Sequence, residues 1–206
     1  MNFELVENLS QVMVFVCATL AATFLAIRYK DRRPLILAFA YACFFMGTLY
    51  YVLCLAVTGD VPQVFYVAEV SWLASYLFYL SLQIVRVVGL NLRFSPRAAV
   101  TAAIFMVTVI LLQIFGPSRL MSGLLALTIG AMVYLTLLRL HTKGAFRLMD
   151  GILLVCVVLE ILLYVISSFP QDYTRFNLYF ATDILMTVLF VTLLPLTMRE
   201  VKHDLH

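Results

Sequence analysis

Three carboxylates, Glu69, Glu160 and Asp183, lie within runs that are otherwise apolar enough to sit in a bilayer. An acid at mid-membrane costs about 2.5–3.5 kcal/mol on insertion scales, and intramembrane ionisable groups are functional candidates by default. At the helical rise per residue, Glu69 lies roughly 10 Å below Pro62, with Asp183 and Glu160 each roughly 12 Å below Arg175 and Ser168. The three therefore share one layer in one half of the membrane. No lysine or arginine lies at that depth. Either the acids hold protons and bridge helices through Tyr, Ser and Thr hydroxyls, or a cation enters among them. Three acids in one layer favour a functional cavity over bridging alone.

Aromatic residues accompany the acids. Tyr50 and Tyr51 come from the second apolar run, Trp72 lies one turn below Glu69, and Tyr164 and Tyr179 lie near the same layer. Trp and Tyr ring faces attract ammonium groups. The expected ligand is accordingly small and cationic or amphipathic, with Glu69 and Asp183 as charge partners, Glu160 as a third, and the aromatics as walls. Paired carboxylates can also do acid–base work, but no nucleophile or metal motif accompanies these. An enzyme is not expected, though carboxylate-only chemistry stays open.

Residue inventory excludes several other chemistries. A Schiff base needs a lysine within a helix, yet Lys30, Lys143 and Lys202 all fall in one set of loops. Haem and intramembrane zinc usually want histidine ligands, and His141, His203 and His206 lie at that same edge. Cys17, Cys43, Cys54 and Cys156 are dispersed in apolar runs without a CxxC pair. Buried cysteine commonly acts as a small hydrophobe. Neither cofactor nor metal is expected.

Positioning these groups is the task of the elements around them. Glu69, Trp72, Tyr76, Tyr79, Gln83 and Arg86 recur at alternating steps of three and four, which puts all six on one stripe of a helix. A stripe with a carboxylate, an indole and two phenols faces protein, so it reads as the inner wall of a helical bundle. Tyr76, Tyr79, Gln83 and Arg86 are its core portion, Arg86 marks the far mouth, and Thr187 continues the polar stripe on the seventh run.

The whole chain fits this picture. Its 206 residues are 64% hydrophobic and 12% charged, with mean hydropathy +1.03; ordinary globular chains are about 25% charged. A bilayer crossing needs roughly 20 apolar residues. Seven such runs are expected, near 9–29, 34–57, 63–88, 98–115, 119–140, 149–168 and 175–198. They form one transmembrane domain over residues 1–206, an all-α bundle. The first run follows Glu4 and Glu7, not a basic segment, so a removed signal peptide is not expected. Pro34 suits the first position of the second helix. Thr101, Thr108 and Gln113 are the only polar residues of the fourth helix, which reads as lipid-exposed. Ser122, Ala126 and Gly130 form a small-residue ridge for close packing on the fifth.

Sorting the basic residues by loop gives twelve on one side and two, Arg119 and Arg175, on the other. This positive-inside bias predicts an outer amino terminus and a cytoplasmic carboxyl terminus in a multi-pass protein of the plasma (inner) membrane. The basic clusters read as orientation signals and lipid headgroup contacts; no nucleic-acid partner is expected.

With an acidic-aromatic pocket open to the outside, this topology resembles prokaryotic seven-transmembrane-helix receptor and sensor modules, which in bacteria precede kinase or cyclase domains. The resemblance covers the whole chain in topology and carries no family motif. An arginine triplet below helix three is absent, as is an Asn-Pro pair in helix seven. It implies a receptor or sensor signalling through a cytoplasmic partner, a homodimer or a downstream domain outside this chain, since the residues after helix seven are too few for an output domain. The alternative expectation is a small cation- or proton-coupled transporter or channel using the same carboxylates. Phe190 and Leu194 would plug its exit.

Overall fold

The computed structural model describes residues 3–59, 66–88, 94–113, 119–143 and 148–204, except for the side chains of residues 66 and 141–143. The expected helix-three start at Gln63 and helix-four end at Phe115 lie outside the described residues. So do Pro62, Arg93, Arg147 and His206, and the side chains of His141 and Lys143. Seven helices follow one another: α1 (Phe3–Tyr29), α2 (Arg32–Thr58), α3 (Tyr66–Val87), α4 (Pro96–Leu112), α5 (Arg119–Lys143), α6 (Leu148–Ser167) and α7 (Leu178–Asp204). All but α4 are long and apolar enough to cross a membrane, whereas α4 has 17 residues. The chain is an all-α, multi-pass membrane protein in contact with lipid.

Local chemistry sets the helix ends. Asp31 caps α2, its carboxylate accepting from the Arg33 N–H at 2.7 Å. Gly59 closes α2 in the left-handed region at φ 75, its N–H donating to the Leu55 carbonyl at 3.1 Å. α2 begins two residues before the expected Pro34, which falls in the first turn, where a missing N–H still costs nothing. Ser95 caps α4 with Pro96 following it, and Asn177 caps α7 by accepting from the Phe180 N–H at 3.2 Å.

Three helices outrun an expected bound by three residues or more. α1 begins at Phe3, not residue 9, and its first N–H groups find the loop before α7: Phe3 and Glu4 donate to the Thr174 and Tyr173 carbonyls at 3.3 Å each. α5 continues to Lys143 and α7 to Asp204. Glu4 and Glu7 at the start of α1, and Glu200 and Asp204 at the end of α7, find partners within the protein, so the hydrocarbon thickness does not fix these two ends.

Six helices close a ring in the order α1, α2, α3, α5, α6, α7 and back to α1, while α4 lies outside against α5 and α6. α4 buries only Ala98, Ala102 and Val109. Packing between helices in lipid relies on close contact more than on water exclusion, and small residues supply it here. α1 turns Phe15, Ala18, Ala22 and Ala26 inward. A Cβ at Gly130 would meet the Met106 side chain at 3.4 Å and the Ala102 carbonyl at 3.6 Å, so the α5 ridge seats α4. Large apolar side chains such as Ile27, 73% exposed, and Val57, 82% exposed, cover the outside; in a membrane protein that surface meets lipid.

Candidate functional site

A cavity of about 550 Å³ occupies one end of the ring. The amino-terminal ends of α1, α3, α5 and α7 reach it through Glu4, Glu69, Ser122 and Tyr179. The carboxyl-terminal ends of α2, α4 and α6 reach it through Tyr51, Gln113 and Tyr164. Each helix thus runs opposite to its predecessor. Exposed Ser167 and Ser168 line the rim, buried Phe180 packs beside it against Phe3 and Tyr173, and buried Phe44, Leu73, Tyr76 and Met186 also line the cavity.

Seven of the eight expected ligand-binding residues line this cavity: Tyr51, Glu69, Trp72, Glu160, Tyr164, Tyr179 and Asp183. Tyr50 does not. Successive residues on a helix diverge by about 100°, and Tyr50 turns towards Cys54 while the Tyr51 hydroxyl donates to Glu4 Oε1 at 2.5 Å. Expected from groups on helices two, three, six and seven, the cavity is lined by residues from all seven helices.

Each acid is held differently. Glu160 on α6 accepts from the Tyr76 hydroxyl of α3 at 2.6 Å, and the Tyr164 hydroxyl lies within hydrogen-bonding reach of Glu160 and Gln113. Glu69 stands in the first described turn of α3 with Oε2 buried and unpartnered. Trp72 lies against Thr48, with 3.4 Å between Nε1 and Oγ1. It is held close to α2 because a Cβ at Gly47 would come within 3.0 Å of the indole.

The stripe on α1 was not foreseen. Glu4, Glu7, Asn8 and Gln11 follow helical spacing, and Glu4, Asn8 and Gln11 line the cavity. Glu7 is buried at 3% exposure, with Oε1 accepting from Gln11 Nε2 at 2.8 Å and Oε2 unpartnered. Starting the first helix at residue 9 leaves these acids outside it; the 4, 7, 8, 11 spacing is the available signal. Five acids therefore gather at this end, and among the described residues no Lys, Arg or His lines the cavity. Among the described residues, no group of three or more His, Cys, Asp or Glu is placed to hold a metal ion.

Below the cavity the core stripe packs shut. Tyr76, Tyr79 and Gln83 are all at most 2% exposed, the Tyr79 and Phe190 rings stack at 4.6 Å, and the Tyr41 hydroxyl donates to the Phe190 carbonyl at 2.7 Å. Gln83 donates to Thr136 Oγ1 at 2.8 Å. Thr187 is buried with its hydroxyl unpartnered, like Tyr79 and Ser75.

The far end holds an ion network. Arg86 of α3 meets Asp150 of α6 at 2.7 Å and Glu200 of α7 at 2.6 Å, while Arg139 of α5 meets Asp150 at 3.1 Å. Beside it, Arg33 pairs with Asp204 at 2.6 Å and with Asp31 at 2.7 Å. Asp31 is partly buried, which raises its carboxyl, but the Arg33 contacts outweigh this and hold it below the usual carboxylate range. A second, polar cleft of about 580 Å³ opens here, lined by Lys30, Arg32, Arg33, Arg86 and Arg139 with Asp31, Glu200 and Asp204.

No protein-family model, curated protein or solved structure matches this chain.

Proposed function

We propose that the chain is a membrane receptor or sensor module that binds a small organic cation, or an amphipathic molecule with a cationic head, in the acidic-aromatic cavity. One observation carries this reading. Four carboxylates line a cavity that has no basic residue among the described ones, a fifth, Glu7, is buried beside Gln11 of its wall, and the floor of Tyr76, Tyr79 and Phe190 is closed. Its volume suits a small-molecule site. In the proposed site, Glu69 and Asp183 supply the charge partners and Glu160 the third. Trp72, Tyr51, Tyr164 and Tyr179 offer ring faces to the cation.

The orientation belongs to the same proposal. Seven crossings, with α4 as the fourth, place the amino terminus and the cavity outside and the basic loops in the cytoplasm of a plasma-membrane protein. The alternating helix directions support this count. A ligand bridging α1, α3, α6 and α7 would bias their arrangement only through differential affinity. The ion network joining α3, α5, α6 and α7 lies where a cytoplasmic partner or a second copy would sense the change.

A second reading, cation- or proton-coupled transport, draws on the buried unpartnered polar atoms below the cavity, Ser75 Oγ, Tyr79 OH, Gln83 Oε1 and Thr187 Oγ1. The two readings separate in one pair of experiments. Thermal-shift screening of organic amines against wild type, Glu69→Gln and Asp183→Asn should find stabilisers whose effect shrinks in both variants. Identical responses in all three would remove the acids from binding. Proteoliposome flux under a pH or cation gradient should be absent; flux abolished by Glu69→Gln would establish transport instead.

A further inference from the structure

The acids around the cavity fall into two sets. α7 packs against both α1 and α6, so Glu7, Glu160 and Asp183 stand on three neighbouring helices. Glu69 stands apart on α3, which packs against α2 and α5 and makes no backbone contact with α1, α6 or α7 among the described residues. Tyr164 and Tyr76 line the cavity together with Glu160, Asp183 and Glu69.

Each set also contains a buried carboxylate oxygen without a hydrogen-bond partner, Glu7 Oε2 in one and Glu69 Oε2 in the other. Glu7 is buried at 3% exposure against Gln11, which lines the cavity with Asp183. An unsatisfied buried acceptor is costly, more so when charged, and an ammonium group brings three donors and no acceptor. A single amine satisfies one set and leaves the other unmet.

Resting on the cation-binding reading, we infer that the ligand carries two cationic centres, as an α,ω-diamine or short polyamine does. One ammonium would sit at Asp183, Glu160 and Glu7 and the other at Glu69, with the chain between them passing Tyr164 and Tyr76. Trp72, one turn along α3 from Glu69, flanks the second ammonium. The cavity, about 550 Å³, has room for such a chain.

The test is calorimetric titration of the nanodisc-reconstituted protein with propane-, butane-, pentane-, hexane- and octane-diamine, each beside the monoamine of equal length. The best diamine should bind at least about ten-fold tighter than its monoamine, and that ratio should fall towards one in Glu69→Gln. In wild type alone, affinity should pass through a maximum with chain length, because the two acid sets are fixed in the bundle. A monoamine as tight as its diamine, a ratio that survives Glu69→Gln, or affinity that only rises with length would overturn the inference while leaving the cation site standing. Absence of binding by both amine classes would overturn the cation site with it.

Discussion

Tyr76 of α3 reaches Glu160 of α6 across 2.6 Å, joining two helices whose backbones do not otherwise meet among the described residues. The bond stands at the base of the cavity, with the Tyr79–Phe190 stack beneath it. Tyr76→Phe keeps the ring and removes the donor. Hydrogen bonds to charged groups contribute about 1.5–3 kcal/mol, and a buried acceptor left unmet costs a similar amount. The variant should therefore melt at a lower temperature in detergent, read by fluorescence-detected size exclusion. An unchanged melting temperature would show that the bond contributes nothing to the fold.

At the opposite end, Asp150 pairs with Arg86 and Arg139, and Glu200 pairs with Arg86. Removing one partner of a buried ion pair typically costs about 3–5 kcal/mol because the remaining charge stays buried. Arg86 has a side-chain exposure of 2% and Asp150 of 7%, whereas Glu200 is at 19%. Asp150→Asn should accordingly destabilise the protein more than Glu200→Gln. Equal melting temperatures for the two variants would contradict this ordering.

Much of this architecture was legible in the sequence, for identifiable reasons. Apolar length revealed the helices, and the three-four spacing from Glu69 to Arg86 revealed an inward stripe because a helix repeats every 3.6 residues. Common depth then brought Glu69, Glu160 and Asp183 to one cavity. Hydropathy hid whatever lay beyond the apolar core. Glu4 and Glu7 precede the first apolar run, and Arg139, Asp150 and Glu200 stand at or just beyond the ends of theirs, where pairing across helices leaves no mark on a one-dimensional profile. Tyr50 and Tyr51 could not be separated by depth; only the rotation of α2 distinguishes them.

Gly47 is the contact that holds the tryptophan in place. An added Cβ would meet Ser71 Cβ and the Trp72 ring at 3.0 Å, so Gly47→Val must displace the indole or part α2 from α3. Because Trp72 is the chain's one tryptophan, its emission reports this directly. The emission maximum should shift in Gly47→Val. An identical spectrum would mean that the helices accommodate the side chain without moving the cavity wall.

Asp31 gives a pH dependence with a defined sign. Its folded carboxyl titrates below the ordinary value because Arg33 outweighs the effect of burial. A depressed folded value contributes stability that is present above the unfolded value, near pH 4, and lost as pH falls through the folded one. Asn still accepts the Arg33 N–H as a cap, so Asp31→Asn removes the charge and keeps the α2 start. Melting temperature followed from pH 6 downwards should fall less steeply near and below pH 4 in the variant. Parallel curves would show that the Asp31 charge is not coupled to folding.

Orientation is open to direct labelling. Thr58→Cys and Gln171→Cys, in a background lacking the four native cysteines, should react with an impermeant maleimide applied from outside intact cells. A reporter fused after His206 should read as cytoplasmic. Labelling of both positions only after permeabilisation would invert the protein and turn the cavity towards the cytoplasm.

The central claim, that the acidic-aromatic cavity binds an organic cation, is tested most directly through Trp72, which lines it. Nanodisc-reconstituted protein would be titrated with a small amine such as hexylamine while tryptophan emission is followed. A saturable change is predicted, with the apparent Kd weakened about ten-fold or more in Asp183→Asn and in Glu160→Gln, as loss of a charged hydrogen-bond partner requires. Unsaturating emission, or curves that superimpose for wild type and both variants, would contradict the account.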